Sequence, residues 1–88
     1  MKVDLNFDLS ELDGTPAQGI NLGKIIAGSL VQQTKGDALK FWDWAVALNK
    51  GEALELDSSD QQTITTFVKE NGNLTIYVKA QFLLAMKK

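Results

Sequence analysis

Four carboxylates, Glu52, Glu55, Asp57 and Asp60, fall within nine residues and form the one group whose types suggest metal binding or proton transfer. A calcium loop of the EF-hand kind needs oxygen ligands at alternating positions, a central glycine and a late bidentate glutamate, and the spacing here does not match. A solvated turn leading into a helix N-terminus, where the macrodipole favours negative charge, accounts for the cluster. A pair such as Asp57 and Asp60 does acid-base work only in a cleft that shifts its pKa. Neither a catalytic residue nor a metal ligand is expected.

The residue types missing from the chain narrow the chemistry further. All nine basic residues are lysines, and there is no histidine, cysteine or arginine. Zinc, haem and iron-sulfur ligation of the usual kind, thiol chemistry and Ser-His-Asp catalysis have no residues to use. Bidentate arginine recognition of phosphate, guanine or carboxylate has none either. The expectation is a protein without a cofactor and without enzymatic activity. A net charge of −2 argues against sequence-specific nucleic-acid binding, which draws its affinity from neutralising phosphates. The longest apolar run, Trp44 to Leu48, is far too short to span a membrane, and no signal peptide is evident, so a cytoplasmic protein with no membrane partner is expected.

Gly19-Ile20-Asn21-Leu22-Gly23-Lys24 resembles a loop opening a helix, with two glycines and a lysine, but it lacks the full spacing of the Walker or dinucleotide motif. An anion at this helix N-terminus, aided by Lys24, is the functional reading of that loop. Within the helix, Gly23, Ala27 and Gly28 either allow close approach of the hairpin or the tryptophan helix or leave a bare backbone surface for a ligand or partner.

These residues need elements to position them, and 88 residues make one domain with a modest core. Val3, Leu5, Phe7 and Leu9 alternate with polar residues as in a half-buried strand. Asp13-Gly14 supplies a turn, and Thr15 to Gly19 returns as a second strand confined to an edge by Pro16, giving a hairpin over about residues 2–20. Apolar spacing and capping residues place helices at about 22–33, 37–50, 58–70 and 75–87. Asn21 and Asp37 cap the first two, Ser58 with Gln61 forms a capping box for the third, and Gly51 closes the second in the left-handed position. Thr63 to Val68 and Leu74 to Val78 are also rich in β-branched residues around Asn71-Gly72, so a hairpin over 63–78 competes with the last two helices. The fold class expected is α+β and mainly helical, an N-terminal β-hairpin packed on about four short helices.

The second helix, ALKFWDWAVAL from Ala38 to Leu48, holds both tryptophans and is apolar around most of its circumference, so it must be enclosed on nearly all sides. Trp42 and Trp44 lie about 200° apart on a helix and cannot face the same core. One belongs to the domain interior and the other needs a second cover: another element, a sister subunit or a planar ligand. The expectation is Trp42 in the core and Trp44 at an interface, with Phe41, Lys40, Asp43 and the more distant Lys24 as the accompanying contact residues.

The segment KGDALKFWDWAVALNKGEALELDSSDQQ, from Lys35 to Gln62, together with the LDG turn and the late VKAQFLLAM, resembles small proteins of unassigned function encoded in bacteriophage and prophage genomes. The resemblance implies a setting, a phage protein made inside a bacterial cell, and carries over no catalytic or binding residue. With the missing chemistry it points to a non-enzymatic binding module, a homo-oligomer that sequesters or inhibits a host component as in counter-defence, with a host protein or a small nucleotide-like ligand as its target. The alternative is a virion or assembly-accessory protein acting through protein-protein contacts.

Overall fold

The alternation from Val3 to Leu9 does not run through as one strand. The computed structural model describes residues 1–87 and divides this stretch in two. Strand β1 (Lys2–Val3) pairs antiparallel with β4 (Leu54–Glu55), while β2 (Asp8–Ser10) pairs antiparallel with β3 (Pro16–Asn21). The break is local and hydrogen-bonded: Asn6 N–H donates to Asp4 Oδ1 (2.9 Å) and Phe7 N–H to Leu5 O (3.0 Å). The turn keeps Val3, Leu5 and Leu9 buried and turns Phe7 partly outward. Pro16 occupies the first position of β3, where its missing N–H costs no ladder bond.

The hairpin β2–β3 joins the helices through Leu9 and Ala17 in the core and through one side-chain clamp from α4. Ser10 N–H donates to Gln81 Oε1 (2.8 Å) and Gln81 Nε2 donates back to Ser10 O (3.0 Å), so an amide stands in for a neighbouring strand.

Four helices follow among the described residues: α1 (Leu22–Val31), α2 (Ala38–Asn49), α3 (Ser58–Glu70) and α4 (Ile76–Met86). Asn21 and Asp37 cap α1 and α2 by accepting from Lys24 N–H and Lys40 N–H, each at 3.1 Å. The cap of α3 is Asp57, which accepts from Asp60 N–H at 2.7 Å, and Ser58 is already the first helical residue. An ionised carboxylate at this position also meets the positive end of the dipole, which a hydroxyl does not. At the end of α2, Glu52 N–H donates to Ala47 O and Gly51 N–H to Leu48 O while Gly51 holds φ at +82°, the Schellman arrangement that only glycine adopts without strain.

Residues 63–78 are helical except for the connection at 71–75, so the competing hairpin does not form. Each half has a helix cap, Asp57 or Thr75, and each buries apolar residues at helical spacing, Ile64 and Val68 on α3 and Val78 and Phe82 on α4. The core joins these to Leu22, Ile26 and Leu30 of α1, to Trp44 and Leu48 of α2, and to Leu54 and Leu56. A radius of gyration of 12.2 Å is close to the about 12 Å expected of a compact chain this long. The architecture is α+β and mainly helical.

Candidate functional site

Helices α1 and α2 make the most extensive contact between elements, and the start of α1 lies beside the end of α2. Gly23 permits this approach. A Cβ there would stand 3.2 Å from Leu5 O, 3.2 Å from Asn21 Oδ1 and 3.5 Å from Leu48 O. Gly28, one turn further on, has no such reason, since a Cβ there would meet nothing within 4 Å. An interior glycine costs about 1 kcal/mol of helix stability against alanine, and at Gly28 internal packing recovers none of it.

Gly28 opens instead onto a groove of about 320 Å³ between the outer faces of α1 and α2. Its floor is Ala27, Gly28 and Ala45, and its wall is the indole of Trp42, with Val46 beside it. Lys24 from the start of α1 and Lys50 from the end of α2 also border it. An adjoining hollow of about 270 Å³ shares Val31 and Trp42 and adds Phe41 and Lys35 near the α1–α2 connection. Across both hollows every charged lining residue is a lysine. Leu39, 77% exposed, extends the apolar strip along α2 at the spacing Leu39, Trp42, Val46.

The tryptophans therefore take the opposite places from those expected. Trp44 is 8% exposed and Trp42 is 59% exposed. The cause lies in the periodicity of α2, where Phe41, Trp44, Ala45 and Leu48 follow the pattern i, i+3, i+4, i+7 and form the larger apolar face. Trp42 belongs to the smaller face and stays more than half exposed, so α2 is not enclosed on nearly all sides. Phe41 stacks on Trp44 with ring centroids 5.8 Å apart and meets the edge of Phe67 at 5.5 Å, forming an aromatic cluster between α2 and α3.

Lys40 and Asp60 have a structural partnership. Lys40 Nζ donates to Asp60 Oδ1 at 2.7 Å and lies 5.9 Å from the centre of the Trp44 ring. The hydrogen bond and charge of Asp60 raise the Lys40 pKa, and the same hydrogen bond holds the Asp60 carboxyl below its usual value against the opposing effect of desolvation. The four acids of the 52–60 run are thereby dispersed: Asp57 caps α3, Asp60 pairs with Lys40, and Glu52 and Glu55 are exposed. Among the described residues no group of three or more His, Cys, Asp or Glu side chains is placed to hold a metal ion.

Of the expected contact residues, Lys24 borders the groove and Phe41 its adjoining hollow, Trp44 is in the core, Lys40 is committed to Asp60, and Asp43 is exposed on α2 outside both hollows. The residues missed were Trp42 and Val31, while Gly28 answers the bare-backbone reading of the α1 glycines. The spacing of Leu39, Trp42 and Val46 was the signal for the first of them.

The fold and groove define a small α+β protein with an open, lysine-bordered apolar cleft between two helices. No protein-family model, curated protein or solved structure matches the chain. Among the described residues, no helix is long and apolar enough to cross a membrane.

Proposed function

We propose that this chain is a non-enzymatic binding module and that the α1–α2 groove is its binding surface, taking an apolar side chain with acidic neighbours from a protein partner. The observation that carries the reading is the exposed indole of Trp42 standing over a glycine that internal packing does not require, in a cleft whose charged lining residues are all lysines. Tryptophan is enriched at the energetic centres of interfaces, and a cationic rim selects an anionic partner. The groove is at the small end of the range for ligand pockets, which suits a side chain better than a whole nucleotide. The mode of action is sequestration or inhibition of a host component by occupancy of the groove. Assembly into a virion, the other reading, has no particular feature of the groove in its favour.

The test is affinity capture from bacterial lysate by the wild type, by Trp42→Asp and by Gly28→Leu, which fills the groove from within. Proteins held by the wild type and released by both variants, and released again at high salt, support the reading. Equal capture by all three contradicts it.

A further inference from the structure

We infer that the occupant of the groove is the hairpin turn of a second copy of this chain, docked head to tail, with Leu12 entering beside Trp42 and Glu11 and Asp13 meeting the groove lysines. The inference rests on the reading of the groove as a binding surface and adds a self-contact to it; the groove left free at the end of each assembly stays open to a host partner.

Leu12 is 101% exposed, so nothing in its own chain covers it, and it is flanked on both sides by carboxylates. The turn is held in shape: Glu11 N–H donates to Thr15 O (2.7 Å) and Gly14 N–H to Glu11 O (2.9 Å). Asp13 Oδ1 accepts from both Thr15 N–H (3.0 Å) and Thr15 Oγ1 (2.7 Å), and these bonds lower its pKa and keep it ionised. At the foot of the turn, where Ser10 pairs with Pro16, Gln81 clamps Ser10. A preformed apolar tip loses little conformational entropy when it docks.

Charge separates this occupant from the alternatives within the chain. Residues 1–21 carry four acids and one lysine, whereas residues 22–51, which build the groove, carry four lysines and two acids. The turn and the groove are therefore of opposite sign. Among the other exposed apolar residues outside the groove, Ile76 and Leu84 on α4 have Lys79 and the capping Lys87 as charged neighbours and would face the groove lysines with like charge. Met1, Phe7 and Ile20 share the acidic segment but are each less than half exposed, against the full exposure of Leu12. A two-fold pairing of groove on groove would set Lys24 and Lys50 against their own copies, which is also unfavourable. Turn and groove are different patches, so the contact is heterologous and each added copy leaves a free groove at one end and a free turn at the other. A tip in a groove buries less than the about 1,200 Å² of a standard interface, so association rises with concentration rather than being complete at every dilution.

The experiment uses Leu12→Ser, which removes the tip from a fully exposed position, and Gly28→Leu, which fills the groove, with circular dichroism and a thermal midpoint to verify that both fold. Light scattering and native mass spectrometry across a dilution series should show dimers and larger species for the wild type. Each variant alone should associate roughly thirtyfold more weakly, the size of a hot-spot truncation. An equal mixture of the two should recover a dimer and stop there, because one intact turn meets one intact groove and the remaining ends are damaged. A wild type that stays monomeric, a Leu12→Ser protein that associates like the wild type, or a mixture that stays monomeric overturns the inference. If Gly28→Leu still abolishes lysate capture in those cases, only self-docking has failed; if it leaves capture unchanged, the groove reading fails with it.

Discussion

The two faces of α2 are both apolar and both carry a tryptophan, yet one is finished and the other is open. On the inner face Trp44 is stacked by Phe41, approached by Lys40 and buried with Ala45 and Leu48. On the outer face Leu39, Trp42 and Val46 repeat the same kind of pattern, and the neighbouring helix presents a bare glycine rather than a side chain that would cover them. Stability explains the inner face. It gives no reason for the outer one, where an exposed indole and an unneeded glycine both work against a stable, soluble monomer, and this contrast supports a binding role for the groove.

The comparison can be broken most sharply with the tryptophans themselves. Trp44→Ala should lose about 3–5 kcal/mol of unfolding free energy in urea titration, as a truncated core aromatic does. Trp42→Ala should remain within about 0.5 kcal/mol of the wild type, as surface substitutions do, while losing its partner in the capture experiment. Equal losses of stability would erase the distinction between the faces.

The two glycines of α1 provide a second, smaller contrast. Gly23→Ala should destabilise by about 1 kcal/mol or more, because its Cβ would press on the backbone oxygen of Leu5, which already accepts from Gly23 N–H. Gly28→Ala should stabilise by up to about 1 kcal/mol, since it gains helix propensity and meets nothing. Thermal midpoints of the pair, measured together, check the signs.

The smallest expected effect concerns pH. The folded Asp60 carboxyl lies below its unfolded value near 3.8, so its pairing with Lys40 stabilises fully above that pH and is lost as the pH falls through the folded value. Lys40, raised above 10.5, contributes below that value and loses its contribution as the pH rises through the folded one. Asp60→Asn should therefore lower the thermal midpoint at neutral pH and converge with the wild type under acid conditions. A constant difference at all pH values would show that the ion pair is not the cause.

Much of the fold was legible because it is written in local chemistry. Asn21, Asp37 and Gly51 act where their side-chain oxygens and positive φ suggested, and apolar spacing placed the helices. The third cap was displaced by one residue because Asp57 and Ser58 are both good caps in sequence and only backbone geometry chooses between them. The alternation through Leu9 concealed a break, since the Asp4 and Leu5 hydrogen bonds that cause it preserve the period of the buried residues. The pairing of β1 with β4 joins segments some fifty residues apart and left no local trace. The site was half legible. That two tryptophans at this separation need two covers follows from helix geometry, but assigning them required counting the members of each face, and the larger set belongs to Trp44. Gly28 was legible as a glycine that either lets another element approach or leaves backbone bare for a partner, and only the folded chain, with nothing within 4 Å of a Cβ there, decides for the second.

The most direct test of the central claim, that α2 has one structural and one binding face, is acrylamide quenching of the two single-tryptophan proteins, Trp44→Phe and Trp42→Phe, over a wide dilution series. Trp42 should be readily quenched when dilute and become shielded, with a blue-shifted emission, as concentration fills the groove, while Trp44 stays shielded throughout. Trp42 shielded even at the greatest dilution, or Trp44 as readily quenched as Trp42, would contradict the two-face claim, whereas Trp42 equally quenched at every concentration would overturn self-docking alone.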